Sequence, residues 1–102
     1  MYTGSIGWEK DPLKLNSVIF RDGGAEIIIE FDSEGFRYTT NLKQGNIGYY
    51  TGTFQRQSGN NISEGRASGR LFSSPDGYLI FGNWHENSLR YKWWAELNED
   101  TE

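Results

Sequence analysis

Short apolar or alternating runs, separated by turn residues at intervals of about 8–12 residues, are the feature that most constrains how this chain folds. The breaks are rich in Gly, Asn, Asp, Ser and Pro, and no helix of ordinary length fits between them. The clearest run is residues 25–31, A-E-I-I-I-E-F, in which acidic residues alternate with apolar ones. Because alternation places the apolar set on one face of a strand, the chain is predicted to be all-β.

The other runs predict an antiparallel meander of about eight strands. Besides residues 25–31, strands are predicted over residues 2–9, 17–21, 36–40, 47–55, 66–73, 78–84 and 89–97. The tripeptide Asp22-Gly23-Gly24 tolerates positive φ and predicts a tight hairpin, whereas residues 57–65 are predicted to be a loop. Eight strands are enough to form a small barrel, closed or partly open. Closure is favourable because it removes the exposed edges of the sheet.

The length of 102 residues predicts one domain, residues 1–97, followed by an acidic tail, residues 98–102. Aromatic residues make up 16 % of the chain, so the core is expected to be rich in rings. Gly52, Gly69 and Gly82 each fall in the middle of a predicted strand. These glycines either mark sharp bends of the sheet or make room for large neighbouring rings.

The charge and the cysteine count narrow the classes of partner. The formal net charge of −4 makes nucleic acid an unlikely partner, because affinity for phosphates comes mainly from Lys and Arg. The chain has no cysteine, so it has neither a disulfide framework nor a thiolate ligand for zinc. No signal peptide and no membrane-spanning stretch is recognised, and a cytoplasmic protein without cofactor, metal or membrane partner is expected.

Residues 81–97 are the most distinctive segment, since they hold three of the four tryptophans and the only histidine. On the last strand, alternation predicts Arg90, Lys92, Trp94 and Glu96 on the exterior, with Leu89, Tyr91, Trp93, Ala95 and Leu97 facing the core. A tryptophan on a polar face is a candidate anchor for a partner. Alternatively, loops, the N-terminus or the stems of Arg90 and Lys92 cover Trp94. The residues assigned to a ligand or partner site are Trp84, His85, Glu86, Arg90, Tyr91 and Trp94.

His85 and Glu86 also suggest catalysis, with the histidine as acid or base and the glutamate orienting it. The chain has no second histidine for a metal-binding HExxH pair. A hydrogen-bonded or solvated histidine is the simpler interpretation, so no catalytic residue is assigned. The alternative function is a small barrel enzyme of isomerase or lyase type that uses His85 or Glu86 as acid or base.

Two segments carry a resemblance to a known family. Gly82-Asn83-Trp84 near a strand end, and the closing run Y-K-W-W-A-E-L of residues 91–97, resemble small calycin-type barrels of the avidin and lipocalin kind. The resemblance implies a barrel that holds a small apolar or ring-shaped ligand in its mouth.

A non-enzymatic binding module is therefore the expected function, with either a protein or a small molecule as partner. A small-ligand binder would have an open cavity lined by Tyr38, Tyr49, Phe81 and Trp93. A module that binds protein would instead have a filled barrel and an exposed apolar patch around Trp94. The sequence leaves the oligomeric state open.

Overall fold

A computed structural model of the chain describes residues 2–7, 13–86 and 89–99. The strands are β1 (Tyr2–Gly7), β2 (Leu13–Lys14), β3 (Ser17–Arg21), β4 (Glu26–Ser33), β5 (Phe36–Asn46), β6 (Tyr49–Ser58), β7 (Asn61–Ser74), β8 (Gly77–Glu86) and β9 (Leu89–Glu99). A 3-10 turn, Asp22–Gly24, joins β3 to β4 with φ of 53° at Asp22 and 98° at Gly24. The prediction of an all-β single domain is confirmed.

All nine strands belong to one antiparallel sheet with the order β2-β1-β9-β8-β7-β6-β5-β4-β3. The sheet curls into an open half-barrel. Its two end strands, β2 and β3, are separated in the chain only by Leu15 and Asn16. The Leu15 N–H donates to the Gly4 carbonyl of β1 at 3.0 Å, and the Asn16 N–H donates to the Glu30 carbonyl of β4 at 2.8 Å. This short segment therefore bridges β1 and β4, which lie near opposite ends of the strand order.

The curl also brings together rings from strands that are distant in the sheet order. The ring centroid of Phe20 on β3 lies 4.7 Å from that of Tyr2 on β1 and 5.5 Å from that of Tyr78 on β8. The Tyr50 hydroxyl on β6 donates to the Gly24 carbonyl of the 3-10 turn. These contacts pack one end of the half-barrel.

Aromatic rings fill the middle of the half-barrel. Trp84 stacks on Trp93 with centroids 5.6 Å apart, and Phe31 stacks on Trp84 at 6.1 Å and on Tyr38 at 4.8 Å. Trp84 and Trp93 are only 5 % and 2 % exposed. Inward positions of every strand from β3 to β9 alternate with outward ones, which is why the alternating sequence pattern predicted this core.

The three mid-strand glycines leave room for neighbouring atoms in two ways. A Cβ on Gly52 would collide with the Asn41 carbonyl of β5, and a Cβ on Gly82 would collide with the Ser68 carbonyl of β7. Neighbouring backbones thus approach closely at these two positions. A Cβ on Gly69 would lie 2.7 Å from Ile80 Cγ2 and 3.3 Å from Trp93 Cζ2, so Gly69 makes room for side chains.

Several boundaries differ from the sequence prediction, among them the end of β5, which was predicted at residue 40 and lies at Asn46. The predicted loop over residues 57–65 is wrong, because β6 and β7 stay paired as far as Ser58 and Asn61. Backbone hydrogen bonds form this hairpin although its side chains are polar, and hydrophobic patterning does not detect such pairing. Strand β9 includes Asn98 and Glu99. The other tail residues, 100–102, lie outside the described residues, as do residues 8 and 9 of the first predicted strand.

Candidate functional site

The β8–β9 hairpin divides the predicted site residues between the two faces of the sheet. Trp84 and Tyr91 are cross-strand partners on the inner face, where Trp84 is buried and Tyr91 packs against the core. His85 and Arg90 are the next partners and lie exposed on the outer face. The structure therefore does not bring the six residues together at one surface.

Glu86 lies on the inner face, at the mouth of the half-barrel formed by the ends of β6, β7 and β8. Its carboxylate lies 3.7 Å from the Arg56 guanidinium and accepts a hydrogen bond from the Ser63 hydroxyl at 3.1 Å. The Arg56 guanidinium in turn lies 5.0 Å from the centroid of the Phe36 ring. Both the charge and the hydrogen-bonding capacity of Glu86 are thus used within the fold.

His85 and Glu86 point to opposite faces, because they are adjacent residues of one strand. They do not form the acid–base pair that the sequence suggested. Within the described ranges, no group of three or more His, Cys, Asp or Glu side chains could hold a metal ion.

His85 belongs to a basic row that crosses three strands on the outer face. Its cross-strand partners are Arg66 on β7 and Arg90 on β9. All three side chains are exposed. Among the described residues, none of the three has a carboxylate within 4.0 Å. Neighbouring strands lie about 4.8 Å apart, so the row places three basic groups within about 10 Å.

A second row, richer in aromatic residues, crosses the same face four residues further along the strands. Arg70 pairs with Phe81, Phe81 with Trp94, and Trp94 with Gly7 on β1. A Cβ on Gly7 would lie 2.7 Å from the Trp94 ring, so the first strand covers one side of this indole. Trp94 is half-buried. The N-terminal strand therefore covers part of its ring, which agrees with one of the alternatives given for Trp94.

Phe81 is the most exposed ring of this row, at 52 %. The Phe72 ring, 48 % exposed, meets it edge-on with centroids 5.9 Å apart. The guanidinium of Arg70 lies 5.5 Å from the centroid of the Tyr49 ring on β6. We call the outer surface of these three strands the β7–β9 face; it comprises Arg66, Arg70, Phe72, Phe81, His85, Arg90, Lys92 and Trp94.

Sequence analysis assigned His85, Arg90 and Trp94 of this face to the site and did not assign its other members to it. A small-ligand binder would have Phe81 and Tyr49 in the lining of its cavity, whereas both lie on the outer face. The alternation of β8 could have placed Phe81 on the outer face. Ile80 and Trp84 are an even number of residues apart and share one face, whereas Phe81 is an odd number of residues from both. Strand pairing brings Arg66 beside His85 and Arg70 beside Phe81.

The interior leaves little space for a ligand at the positions predicted to line one. Trp93 is buried against Trp84, and its indole N–H donates to the Ser68 carbonyl at 3.1 Å. A groove of about 600 Å³ lies elsewhere, at the β7–β8 turn, where Pro75, Tyr78 and Glu96 contribute to its lining.

Comparisons with known proteins add no relative. No protein-family model matches the chain, and searches of the curated proteins and of the solved structures return no significant match. In the described part of the chain, no helix has the length and apolar character needed to cross a membrane.

Proposed function

We propose that this chain is a non-enzymatic binding module that recognises a protein partner through its β7–β9 face. The observation that carries the proposal is the exposure of Phe81 between Phe72 and Trp94 on a regular sheet surface. Exposed aromatic clusters on monomeric proteins mark interaction surfaces more often than isolated exposed rings do.

The composition of this face suits a protein interface. Residues that contribute most to binding energy are enriched in Trp, Tyr and Arg. Trp94 and Arg70 lie on this face, and Tyr49 adjoins it on β6 as the cross-strand partner of Arg70. Strand pairing on both sides holds β7 and β8 in place, so docking orders little additional backbone.

The filled interior supports a surface site over a cavity. Rings of Phe31, Trp84 and Trp93 occupy the positions where a ligand would sit in an open barrel. The proposed module is similar to calycin-type barrels in architecture only: a small barrel that binds through its outer surface. A cytoplasmic location is also part of the proposal, because a cysteine-free chain needs no oxidising compartment.

The test is affinity capture from extract of the producing organism, followed by reconstitution with the purified partner. Immobilised wild-type protein is compared with Phe81→Ala and with the control Ile19→Ala, which removes an exposed side chain from the outer face of β3. We expect Phe81→Ala to weaken binding at least about tenfold and Ile19→Ala to leave it unchanged.

Each variant's unfolding free energy is measured first, and both should stay within about 1 kcal/mol of wild type because the side chains are exposed. Equal binding by all three proteins would contradict the proposed surface. Native mass spectrometry that shows a bound small molecule, with no polypeptide, would favour a ligand at the mouth beside Arg56 and Glu86.

A further inference from the structure

The charges of the β7–β9 face differ in sign from those of the rest of the chain. Four of the ten Lys and Arg residues and the only histidine lie on it. The two carboxylates that project from the same side of these strands are Glu64 and Glu96. Four cations and two anions give this side of the strands a formal charge of +2 with His85 neutral. Because the net charge of the chain is −4, all other residues together carry −6.

Strand pairing concentrates this positive charge. Arg66 and Arg90 are the cross-strand neighbours of His85 on either side, so two guanidinium groups lie within about 10 Å with the imidazole between them. Each guanidinium offers a planar set of donors that matches a carboxylate. A bound anion would use those donors.

We propose that the partner of the β7–β9 face is a protein that presents a short acidic segment next to an apolar side chain. The carboxylates contact Arg66, His85 and Arg90, and the apolar side chain packs against Phe81 and Trp94. This inference rests on the proposed function and specifies the chemistry of its partner.

The dimensions of the positive zone favour a short segment. From Arg66 to Arg70 the zone spans four residues along β7, or about 13 Å, which is the length of about four extended residues. The apolar contact lies at one end of this span, since Phe81 pairs with Arg70 and His85 pairs with Arg66. The two kinds of contact are therefore within reach of one peptide.

A nucleic-acid strand fits this surface less well. A nucleic-acid strand carries one negative charge on every nucleotide, so its charge continues past a positive zone of this length. Beyond the positive zone it would meet Glu64 next to Arg66 on β7, or Glu96 next to Trp94 on β9. The −6 carried by the rest of the chain adds long-range repulsion of a long polyanion.

The experiment measures binding of three labelled probes by fluorescence anisotropy at low and at moderate salt. The probes are a peptide of glutamates with one central phenylalanine, the same peptide with glutamine in place of glutamate, and an oligothymidylate of equal length. The proteins are wild type, Arg66→Gln/Arg90→Gln, and Arg37→Gln. Arg37 is a matched control because Asp32 already pairs with it at 2.6 Å.

We expect the acidic peptide to bind wild type and Arg37→Gln alike, and to bind the double variant at least about tenfold more weakly. Added salt should weaken the wild-type complex, since exposed charges are screened. The glutamine peptide should bind at least about tenfold more weakly than the acidic one.

Three results would overturn the inference: no binding of the acidic peptide at about 1 mM, equal binding of the two peptides, or tighter binding of the oligothymidylate. Failure of this inference is separable from failure of the proposed function. If the captured natural partner is lost with Phe81→Ala but retained by Arg66→Gln/Arg90→Gln, the face binds protein without acidic recognition. If both variants retain the partner, the proposed function fails as well.

Discussion

The indole of Trp84 lies on that of Trp93 with ring centroids 5.6 Å apart and planes inclined by 11°. The two residues are on adjacent strands, β8 and β9, and both face the interior. Trp94, the next residue after Trp93, points to the opposite side of the sheet. Neighbouring tryptophans therefore have different environments, one in the packed interior and the other on the β7–β9 face.

Truncation of Trp84 should be much more costly than truncation of Trp94. Trp84→Ala removes a buried ring that contacts Phe31, Phe54 and Trp93, so we expect a loss of about 3–5 kcal/mol in unfolding free energy. Trp94→Ala should lose about 1–2 kcal/mol, because this ring is only half-buried and its removal exposes less apolar area. Urea unfolding monitored by circular dichroism measures both values. Equal losses in the two variants would contradict the assignment of the two faces.

Gly69→Ala should destabilise the fold, and Gly45→Ala is its control. The new methyl group at residue 69 would lie 2.7 Å from Ile80 Cγ2, and relief of that overlap should cost about 1–3 kcal/mol. At Gly45 no heavy atom lies within 4 Å of the new methyl group, so the change should be neutral or slightly stabilising. Thermal unfolding of both variants checks the contrast. A neutral Gly69→Ala would mean that the interior is packed more loosely than the contacts of Trp93 indicate.

Stability should fall in acid partly through Asp32. Hydrogen bonds from Asn16 at 3.0 Å and from Arg37 at 2.6 Å hold the pKa of the Asp32 carboxyl below its ordinary value. A carboxyl group with a lowered folded pKa stabilises the fold above its unfolded pKa, near 3.9, and loses this contribution as the pH falls through the folded pKa. The melting temperature of Asp32→Asn should therefore depend less on pH below about pH 4 than that of wild type. Parallel acid profiles of the two proteins would show that the network does not contribute.

The alkaline side of the stability profile should depend on Tyr50. Burial, with a smaller contribution from nearby Tyr78, raises the pKa of its phenol above the ordinary value. A raised folded pKa gives a contribution that is complete below the unfolded pKa, near 10, and is lost as the pH rises through the folded value. Tyr50→Phe should cost about 1 kcal/mol at neutral pH through loss of the hydrogen bond to Gly24, yet show a shallower decline above about pH 10. Unfolding in urea at neutral pH, and again at about half a pH unit above the ordinary phenol pKa, measures both effects. An unchanged alkaline decline would assign it to other phenols, such as Tyr2.

The sequence by itself determined the all-β class and most of the strands. Residues 25–31 predicted the inward set of β4, and Ile27, Ile29 and Phe31 are fully buried. The alternation of residues 89–97 placed Trp93 inside and Trp94 outside, as found, although the side chain of Leu89 lies outside the described part. These predictions worked because side-chain alternation in a strand is a local property.

Only the tertiary structure decided which residues share a surface. Arg66, His85 and Arg90 are far apart in the chain, and cross-strand register brings them into one row. The curl of the sheet is likewise a property of the whole, since it joins Tyr2 to Phe20 across strands that are not neighbours. Register and curl depend on contacts between distant segments, and the composition of any one segment does not contain them.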